Sequence, residues 1–334
     1  MPLFHNSTLL IDVNDHTDVP LANASDFAIA AERAGLDGVG VHDHQGSGHD
    51  VFVRLTAMAS ATTRVMLFPS VTNPVTRHPA VLAAAASSLA ELAPGRVRLM
   101  LGSGDLATIA IGLRSAPVAY MRESTLAIRA LLAGEAATLG DASIRKLTHV
   151  AGMTPDVYVN ASSPRMLETG GEVADGVYAM VGVQPDVVDR ARSLIAVGAK
   201  RAGRAAEKLP IAHGVPIYMG ETREAALEGM RAYAYSNISK PRKVFATVMR
   251  ELHPDLRVPD SPAGLTMGDV ETIADALGIV GTPVECGERL AAFVAASGVE
   301  HIVCRILYAG ADPMAALTAL TRDVLPAVAT KGNR

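Results

Sequence analysis

Eight short apolar runs, rich in β-branched residues, recur along the chain, and stretches with helical periodicity separate most of them. We predict strands over residues 9–13, 38–41, 65–68, 97–101, 157–160, 176–180, 211–218 and 301–306. The clearest helical patterns cover residues 22–34, 79–93, 122–132, 185–202, 223–234, 283–296 and 313–325. Glycine or polar residues follow most of the strands. The alternation predicts an α/β fold, a parallel (β/α)8 barrel of the TIM type.

Two stretches interrupt this rhythm. A long insertion, residues 237–278, separates the seventh and eighth predicted strands and contains four prolines. Insertions after barrel strands usually build the rim of the active site, so we expect a lid here. Residues 134–155 are also irregular and predict a hairpin-like excursion. Because no linker divides the chain, we expect a single domain over residues 1–334.

Composition predicts a large buried core and excludes several classes of function. The 334 residues are 49% hydrophobic and 19% charged. A net charge of −4 gives no general attraction to nucleic acid or anionic membranes, so we expect neither as a partner. No apolar run approaches the length of a bilayer span, and nothing at the N-terminus resembles an export signal. Cys286 and Cys304 lack partners at metal-ligand spacing, so we expect buried free thiols in a cytoplasmic protein.

The candidate chemistry is concentrated between residues 70 and 105. The apolar run 65–68 stops at Pro69 and leads into the polar segment 70–79, while the run 97–101 stops at the Gly-rich turn 102–105. Such a turn is typical of phosphate-type loops, although a Gly-rich loop alone is a weak signal. With the helix between them, the two runs form a strand, helix, strand unit. Its polar residues lie at the carboxyl ends of the strands, where α/β proteins bind their ligands.

The motifs of this region carry a family resemblance. Thr72-Asn73-Pro74, Arg77-His78-Pro79 and Gly102-Ser103-Gly104-Asp105, in this order, resemble the bacterial luciferase-like superfamily of flavin and deazaflavin enzymes. Within it, the chain is most similar to the methylenetetrahydromethanopterin reductases, which use coenzyme F420. The resemblance implies that cofactor-binding residues include Ser70, Val71, Thr72, Asn73, Gly102, Ser103 and Gly104. It further implies that Asp105 is an acidic catalytic residue. The Arg77-His78 pair is compatible with a charge contact in the loop, and its role stays open.

The resemblance also concerns the peptide bond between Ser70 and Val71. It implies that this non-prolyl bond is cis and forms a bulge against the cofactor ring. The alternative is an ordinary strand end at Pro69.

Histidines crowd the loop after the second predicted strand, at positions 42, 44 and 49. Adjacent loop positions rarely point at one ion, and no helical HExxH spacing supports a metal site, so we expect none. By resemblance, Asp43 and His44 are the pair that the superfamily places beside the flavin ring. A histidine there can exchange a proton near neutral pH, which makes His44 a catalytic candidate. The alternative is a solvated loop histidine.

Asp12 is the third catalytic candidate. It matches a carboxylate that the reductases are thought to use as a proton donor, and it stands near the end of the first predicted strand. A carboxylate that ends a barrel strand usually faces the active site. Burial near an apolar ring would raise its pKa, which suits a donor.

A candidate anion site follows the fifth predicted strand at Asn160-Ala161-Ser162-Ser163, where a helix begins. Small residues allow backbone N–H groups and the helix dipole to face a phosphate. A plain Ser N-cap is the alternative. By resemblance, Gly176 and Gly182 complete this part of the cofactor site.

The sequence leaves three functions open. The first is an oxidoreductase that moves a hydride between coenzyme F420 and a small organic substrate. The second is an FMN-dependent monooxygenase of the same barrel, and the third is a catalytically silent barrel that only binds a cofactor. The superfamily commonly dimerises through early barrel helices, and the small-residue run 83–90 is compatible with a homodimer.

Overall fold

The computed structural model describes residues 9–16, 19–46, 48–239 and 244–331, and eleven strands lie within these ranges. The strands are β1 (Leu10–Asp15), β2 (Gly38–Val41), β3 (Met66–Pro69), β4 (Arg98–Leu101), β5 (Ala137–Leu139), β6 (Ala142–Ile144), β7 (Asp156–Ala161), β8 (Gly176–Ala179), β9 (Ile211–Met219), β10 (Ile279–Gly281) and β11 (His301–Tyr308).

The α-helices are α1 (Asp26–Ala34), α2 (Val51–Ala61), α3 (Pro79–Leu92), α4 (Asp105–Ile109), α5 (Val118–Leu132), α6 (Pro164–Val173), α7 (Pro185–Arg201), α8 (Arg223–Ile238), α9 (Val244–Leu252), α10 (Met267–Leu277), α11 (Pro283–Ser297), α12 (Pro313–Ala319) and α13 (Leu325–Lys331). A π-helical segment, Leu320–Val324, joins α12 to α13, and short 3₁₀ helices lie at Leu21–Asn23, Ala206–Lys208 and Pro262–Gly264.

Eight parallel strands close into a barrel. Their order around it is β1, β2, β3, β4, β7, β8, β9 and β11, and β11 pairs with β1. Two parallel backbone bridges, Leu67 with Val97 and Thr72 with Leu101, close the ring between β3 and β4. The predicted (β/α)8 barrel is therefore confirmed.

The eight predicted barrel strands are all present, with ends shifted by no more than two residues. The irregular stretch 134–155 contains the antiparallel hairpin of β5 and β6, as predicted. The sequence pattern did not reveal β10, whose three residues pair with the carboxyl end of β9. It also did not reveal α2, because apolar residues occur on both its buried and its exposed face.

Side chains of alternating residues fill the barrel interior in layers. Phe68, Met100, Tyr158 and Tyr178 form an aromatic and apolar layer at mid-height, together with Val303. Strand residues of the opposite parity pack outward against the helices. Because side chains fill the middle of the barrel, no ligand can pass through it. A ligand is expected to bind at the carboxyl ends of the strands.

The insertion packs on the carboxyl side of the barrel. Its described part contains the end of α8, α9, a 3₁₀ turn and α10, while residues 240–243 lie outside the described ranges. Val183, in the loop after β8, donates its N–H to the Ala276 carbonyl of α10 at 2.9 Å. Gly182 in the same loop has a φ of +97°, and a Cβ there would lie 2.8 Å from that carbonyl. The loop after β8 is thus held against the insertion.

Both cysteines are buried free thiols, as predicted. Cys286 lies in α11 and Cys304 in β11. Burial raises the pKa of the Cys286 thiol to about 12 and raises the pKa of Cys304 as well. Neither thiol is therefore a ready nucleophile at neutral pH. Among the described residues, no helix combines the length and the apolar character that crossing a membrane requires.

Candidate active site

The loops after β3 and β4 interlock at the carboxyl face of the barrel. The peptide bond between Ser70 and Val71 is cis, as predicted. A Cβ on Gly102 would lie 2.6 Å from Cγ2 of Val71, so the β4 loop can approach the β3 loop this closely only with glycine at that position. The Thr72 N–H donates to the Met100 carbonyl at 3.0 Å, and the Gly102 N–H donates to the Thr72 carbonyl at 2.8 Å.

Asp43 anchors the loop after β2 to the loop after β3. Its buried carboxylate accepts a hydrogen bond from Thr72 Oγ1 at 2.7 Å and forms an ion pair with Arg77. Arg77 also pairs with Asp50 at 2.6 Å, and Asp50 caps the N-terminus of α2. This network gives Arg77 the role that the sequence left open. It also fixes the backbone from which His44 extends.

Three histidines lie together at this face, on the loops after β1 and β2. His42 Nε2 lies 3.1 Å from His16 Nε2, and the rings of His42 and His44 are 5.6 Å apart. Burial and the positive charge of Arg305 lower the pKa of His16 to about 3. Burial, the neighbouring His16 and Arg305 lower the pKa of His42 well below its ordinary value. The His16 and His42 rings are therefore neutral at pH 7 and share one N–H.

His44 is half-buried and belongs to the same group. Burial lowers its pKa, Asp43 opposes this shift, and Arg305 adds to it. The histidines of this loop raise the question of whether it binds a metal ion. In the part of the chain that the structure describes, no group of three His, Cys, Asp or Glu residues is arranged to hold one. Sequence reasoning missed His16, whose distance of 26 residues from His42 hides the pair.

A cavity of about 500 Å³ opens at the carboxyl ends of β4, β7, β8, β9 and β11. It brings together five predicted site residues and several that were not predicted. The predicted ones are Ser103, Asp105, Asn160, Ser162 and Ser163, and the others include Met180, Tyr218, Tyr233, Ser236 and Arg305. Tyr233 and Ser236 belong to α8, so this helix forms one wall of the cavity.

Several buried amide atoms lack a hydrogen-bond partner among the described residues. They include Oδ1 of Asn160, which lines the cavity, and Nδ2 of Asn73 in the loop after β3. The Asn73 oxygen is already engaged, since it accepts from the backbone N–H groups of Val75 at 3.1 Å and Thr76 at 2.8 Å. Buried polar atoms are rarely left without partners, so these two favour a polar ligand at this place.

The start of α6 faces the same cavity. Ser163 stands at the N-cap position, but its side chain makes no capping hydrogen bond. The alternative of a plain Ser cap is therefore wrong. Pro164 occupies the first helical position, and the helix of ten residues directs its N-terminal backbone N–H groups towards the cavity.

Asp12 lies elsewhere, and the expectation that it ends the first strand is wrong. It is the third of six residues in β1, and its Oδ2 is 2.8 Å from Arg98 Nη1 and 2.8 Å from His301 Nε2. Both partners are the first residues of their strands. Although burial raises the pKa of Asp12, His301 and Arg98 lower it below its ordinary value overall. The cluster lies towards the amino ends of the strands.

Aromatic rings separate this cluster from the cavity. The Arg98 guanidinium carbon lies 5.3 Å from the Phe68 ring centre and 4.8 Å from that of Tyr158. These rings belong to the middle layer of the barrel. Asp12 thus faces a filled interior.

Gly176, Ala161 and Gly182, also predicted to bind the cofactor, do not line the cavity, and each packs against another part of the protein. Gly176 is the first residue of β8, and a Cβ there would lie 2.3 Å from the Tyr158 ring, so its small size accommodates that ring. Ala161 is buried among the outer core residues that pack against helices. Gly182 contacts the insertion, as described above.

Comparisons with known proteins agree with this architecture. A family model described as luciferase-like monooxygenase matches residues 1–301. A 5,10-methylenetetrahydromethanopterin reductase of Methanolobus tindarius is 33% identical over 81% of this chain and 86% of its own. An F420-dependent glucose-6-phosphate dehydrogenase of Kribbella flavida is 29% identical over 90% of this chain and 92% of its own. The coenzyme F420-dependent tetrahydromethanopterin reductase of Methanopyrus kandleri superposes with a TM-score of 0.73 at 22% identity, covering 96% and 99% of the two chains.

Proposed function

Because the chain belongs to the luciferase-like monooxygenase family, we propose that it is a coenzyme F420-dependent oxidoreductase that moves a hydride between the deazaflavin and a small organic substrate. The family membership predicted from residues 70–105 is confirmed. The observation that carries the choice of cofactor is the similarity, over most of the chain, to an F420-dependent dehydrogenase and to a methylenetetrahydromethanopterin reductase. FMN is the alternative cofactor.

The residues at the carboxyl face fit such a group. The cis segment Ser70–Val71 and the loop 102–104 would support the ring, and the unpaired amide atoms of Asn73 and Asn160 would bind its polar edge. Ser162, Ser163 and the start of α6 would bind its phosphate. When bound, the deazaflavin supplies or accepts the hydride. Helix α8, whose residues Tyr233 and Ser236 line the cavity, would act as a wall that excludes water.

Proton exchange with the substrate falls to residues of this face. Of the predicted candidates, Asp105 lines the cavity and His44 lies on the loop after β2 at the same face. Asp12 is left out because it faces the filled interior. The neutral His16–His42 pair lies beside His44 and can pass a proton along its shared hydrogen bond. Asp43, held by Arg77 and Thr72, positions His44.

Titration with cofactors tests the proposal. Apo-protein should bind F420 and, when loaded, exchange a hydride with a substrate from a panel of small alcohols, aldehydes and imines without consuming O2. The absorbance of F420 reports both binding and reduction. Binding of reduced FMN with O2 uptake, and no F420 binding, would instead establish the monooxygenase alternative. Cofactor binding without turnover across the whole panel would favour the silent barrel.

We also propose a homodimer formed through α2 and α3, which pack side by side. Most of the small-residue run 83–90 faces the barrel, but Val53 of α2 and Val81 of α3 are 52% and 55% exposed. Sedimentation should give twice the 34.8 kDa chain mass, and Val53→Glu with Val81→Glu should give the monomer. Val197→Glu, at an exposed position of α7, is the matched control and should remain dimeric. A monomeric wild type would refute the dimer.

A further inference from the structure

Arg305 is a cation inside the barrel that the proposed chemistry has not used. On β11 it lies on the same face as His301 of the Asp12 cluster and Val303 of the middle layer. Its side chain therefore points into the barrel, near the carboxyl face. Its guanidinium lies over the ring of Tyr233, 4.5 Å from the ring centre. It lines the cavity at the carboxyl face and also, with His16, a smaller pocket of about 220 Å³.

Arg305 has no ion-pair partner among the described residues, unlike three other arginines with buried or half-buried side chains. Arg54, Arg77 and Arg98 each contact a carboxylate within 2.8 Å. Half-buried Arg96 and Arg204 also lack a carboxylate partner, but they donate to backbone carbonyls. Across the described ranges, no Asp or Glu oxygen forms an ion pair with Arg305, whose neighbours are tyrosines. Taking a cation partly out of water without a counter-charge is costly, so an anionic ligand beside Arg305 would be favoured.

We infer that the substrate carries an anionic group, a carboxylate or a phosphate, and that Arg305 binds it. This inference rests on the proposed function. A guanidinium offers two parallel N–H donors that match the two oxygens of either anion. The anion would lie inside the barrel mouth, stacked against the wall that Tyr233 provides.

The position of Arg305 assigns this anion to the substrate rather than to the cofactor. The proposed phosphate site at Ser162, Ser163 and α6 follows β7, whereas β11 is three strands away around the barrel. Arg305 reaches the same cavity as Ser162 and Ser163, but from the opposite side: it lies beside β1, and it shares a second pocket with His16. A molecule held by Arg305 in that pocket would lie against His16, which belongs to the histidine group proposed to exchange protons. That is where the reacting end of a small substrate has to lie.

Calorimetric titration of anions tests the inference without knowledge of the true substrate. The probes are benzoate, inorganic phosphate and the neutral analogue benzamide, each titrated into apo-protein and into protein saturated with F420. Wild type should bind at least one of the two anions in both forms and should not bind benzamide. Arg305→Met should weaken anion binding at least tenfold and change F420 affinity less than threefold. Arg322→Met, at a side chain that is 72% exposed, is the control and should bind like wild type.

Several results would overturn the inference. They are wild type that binds neither anion, Arg305→Met that binds as well as wild type, and F420 saturation that abolishes the site. A tenfold loss of F420 affinity in Arg305→Met would assign the arginine to the cofactor. If the Met variant does not fold, Arg305→Lys keeps the charge and should bind anions three- to tenfold more weakly than wild type. Because the apo-protein titration needs no cofactor, failure of F420 binding refutes the proposed function separately.

Discussion

Replacing Asp12 with Asn should lower the free energy of unfolding by about 3–5 kcal/mol, because it leaves the buried Arg98 guanidinium without its carboxylate. His301 loses the same partner. The residues that line the cavity are not touched, so the turnover of the folded variant should stay within about threefold of wild type. Urea-induced unfolding, followed by circular dichroism, measures the first quantity, and hydride transfer at saturating cofactor measures the second.

Asp12→Asn should also change how the stability of the protein depends on pH. The folded pKa of Asp12 lies below its unfolded value near 3.8, so its contribution to stability is present above about pH 4 and is lost as the pH falls below that value. The Asn variant should lack this part of the acid dependence. Asp323→Asn, which breaks an ion pair with the exposed Arg322, is the control and should change stability little. A large loss of turnover at unchanged stability would instead restore Asp12 as a proton donor.

Asp12 also shows where sequence reasoning fails. The predicted first strand ended at residue 13, but β1 continues to Asp15. Because the strand ends two residues later than predicted, Asp12 lies within it and not at its end. Its partners Arg98 and His301 lie 86 and 289 residues away, and only closure of the barrel brings the three together. No local pattern reports such a contact.

The loops after β2, β3 and β4 could be predicted because their motifs are local. Residues 70–73 and 102–105 are short polar segments directly after apolar strands, and strand ends fix which face of the barrel they occupy. Asn160 was found in the same way. His16 and Arg305 were missed, since a lone polar residue in or after a strand carries no signal until the neighbouring strands are known. Tyr233 was missed because its place in α8 does not show which side of the helix faces the cavity.

The histidines at the carboxyl face are uncharged at neutral pH. Arg305 contributes to the lowered pKa of His16, His42 and His44, together with burial. Neutral imidazole can accept a proton from a substrate alcohol, whereas imidazolium cannot. By helping to keep these histidines neutral, the positive charge of Arg305 favours their action as proton acceptors when the substrate is oxidised.

His44→Gln should lower single-turnover hydride transfer by a factor of about 10²–10³ while F420 affinity changes less than threefold, because glutamine keeps a hydrogen-bonding group but cannot take up a proton. In the oxidation direction the active form is neutral His44, whose pKa lies below 6.5. The wild-type rate should therefore remain above half its maximum at pH 6.5 and fall only in more acidic buffer, and this limb should be absent in the variant. His49→Gln, at an exposed histidine of the same loop, is the control and should keep the wild-type rate and profile. If His44→Gln retains the wild-type rate, the proton passes to Asp105 or to the His16–His42 pair, and Asp105→Asn and His42→Gln measured under the same conditions distinguish these two routes.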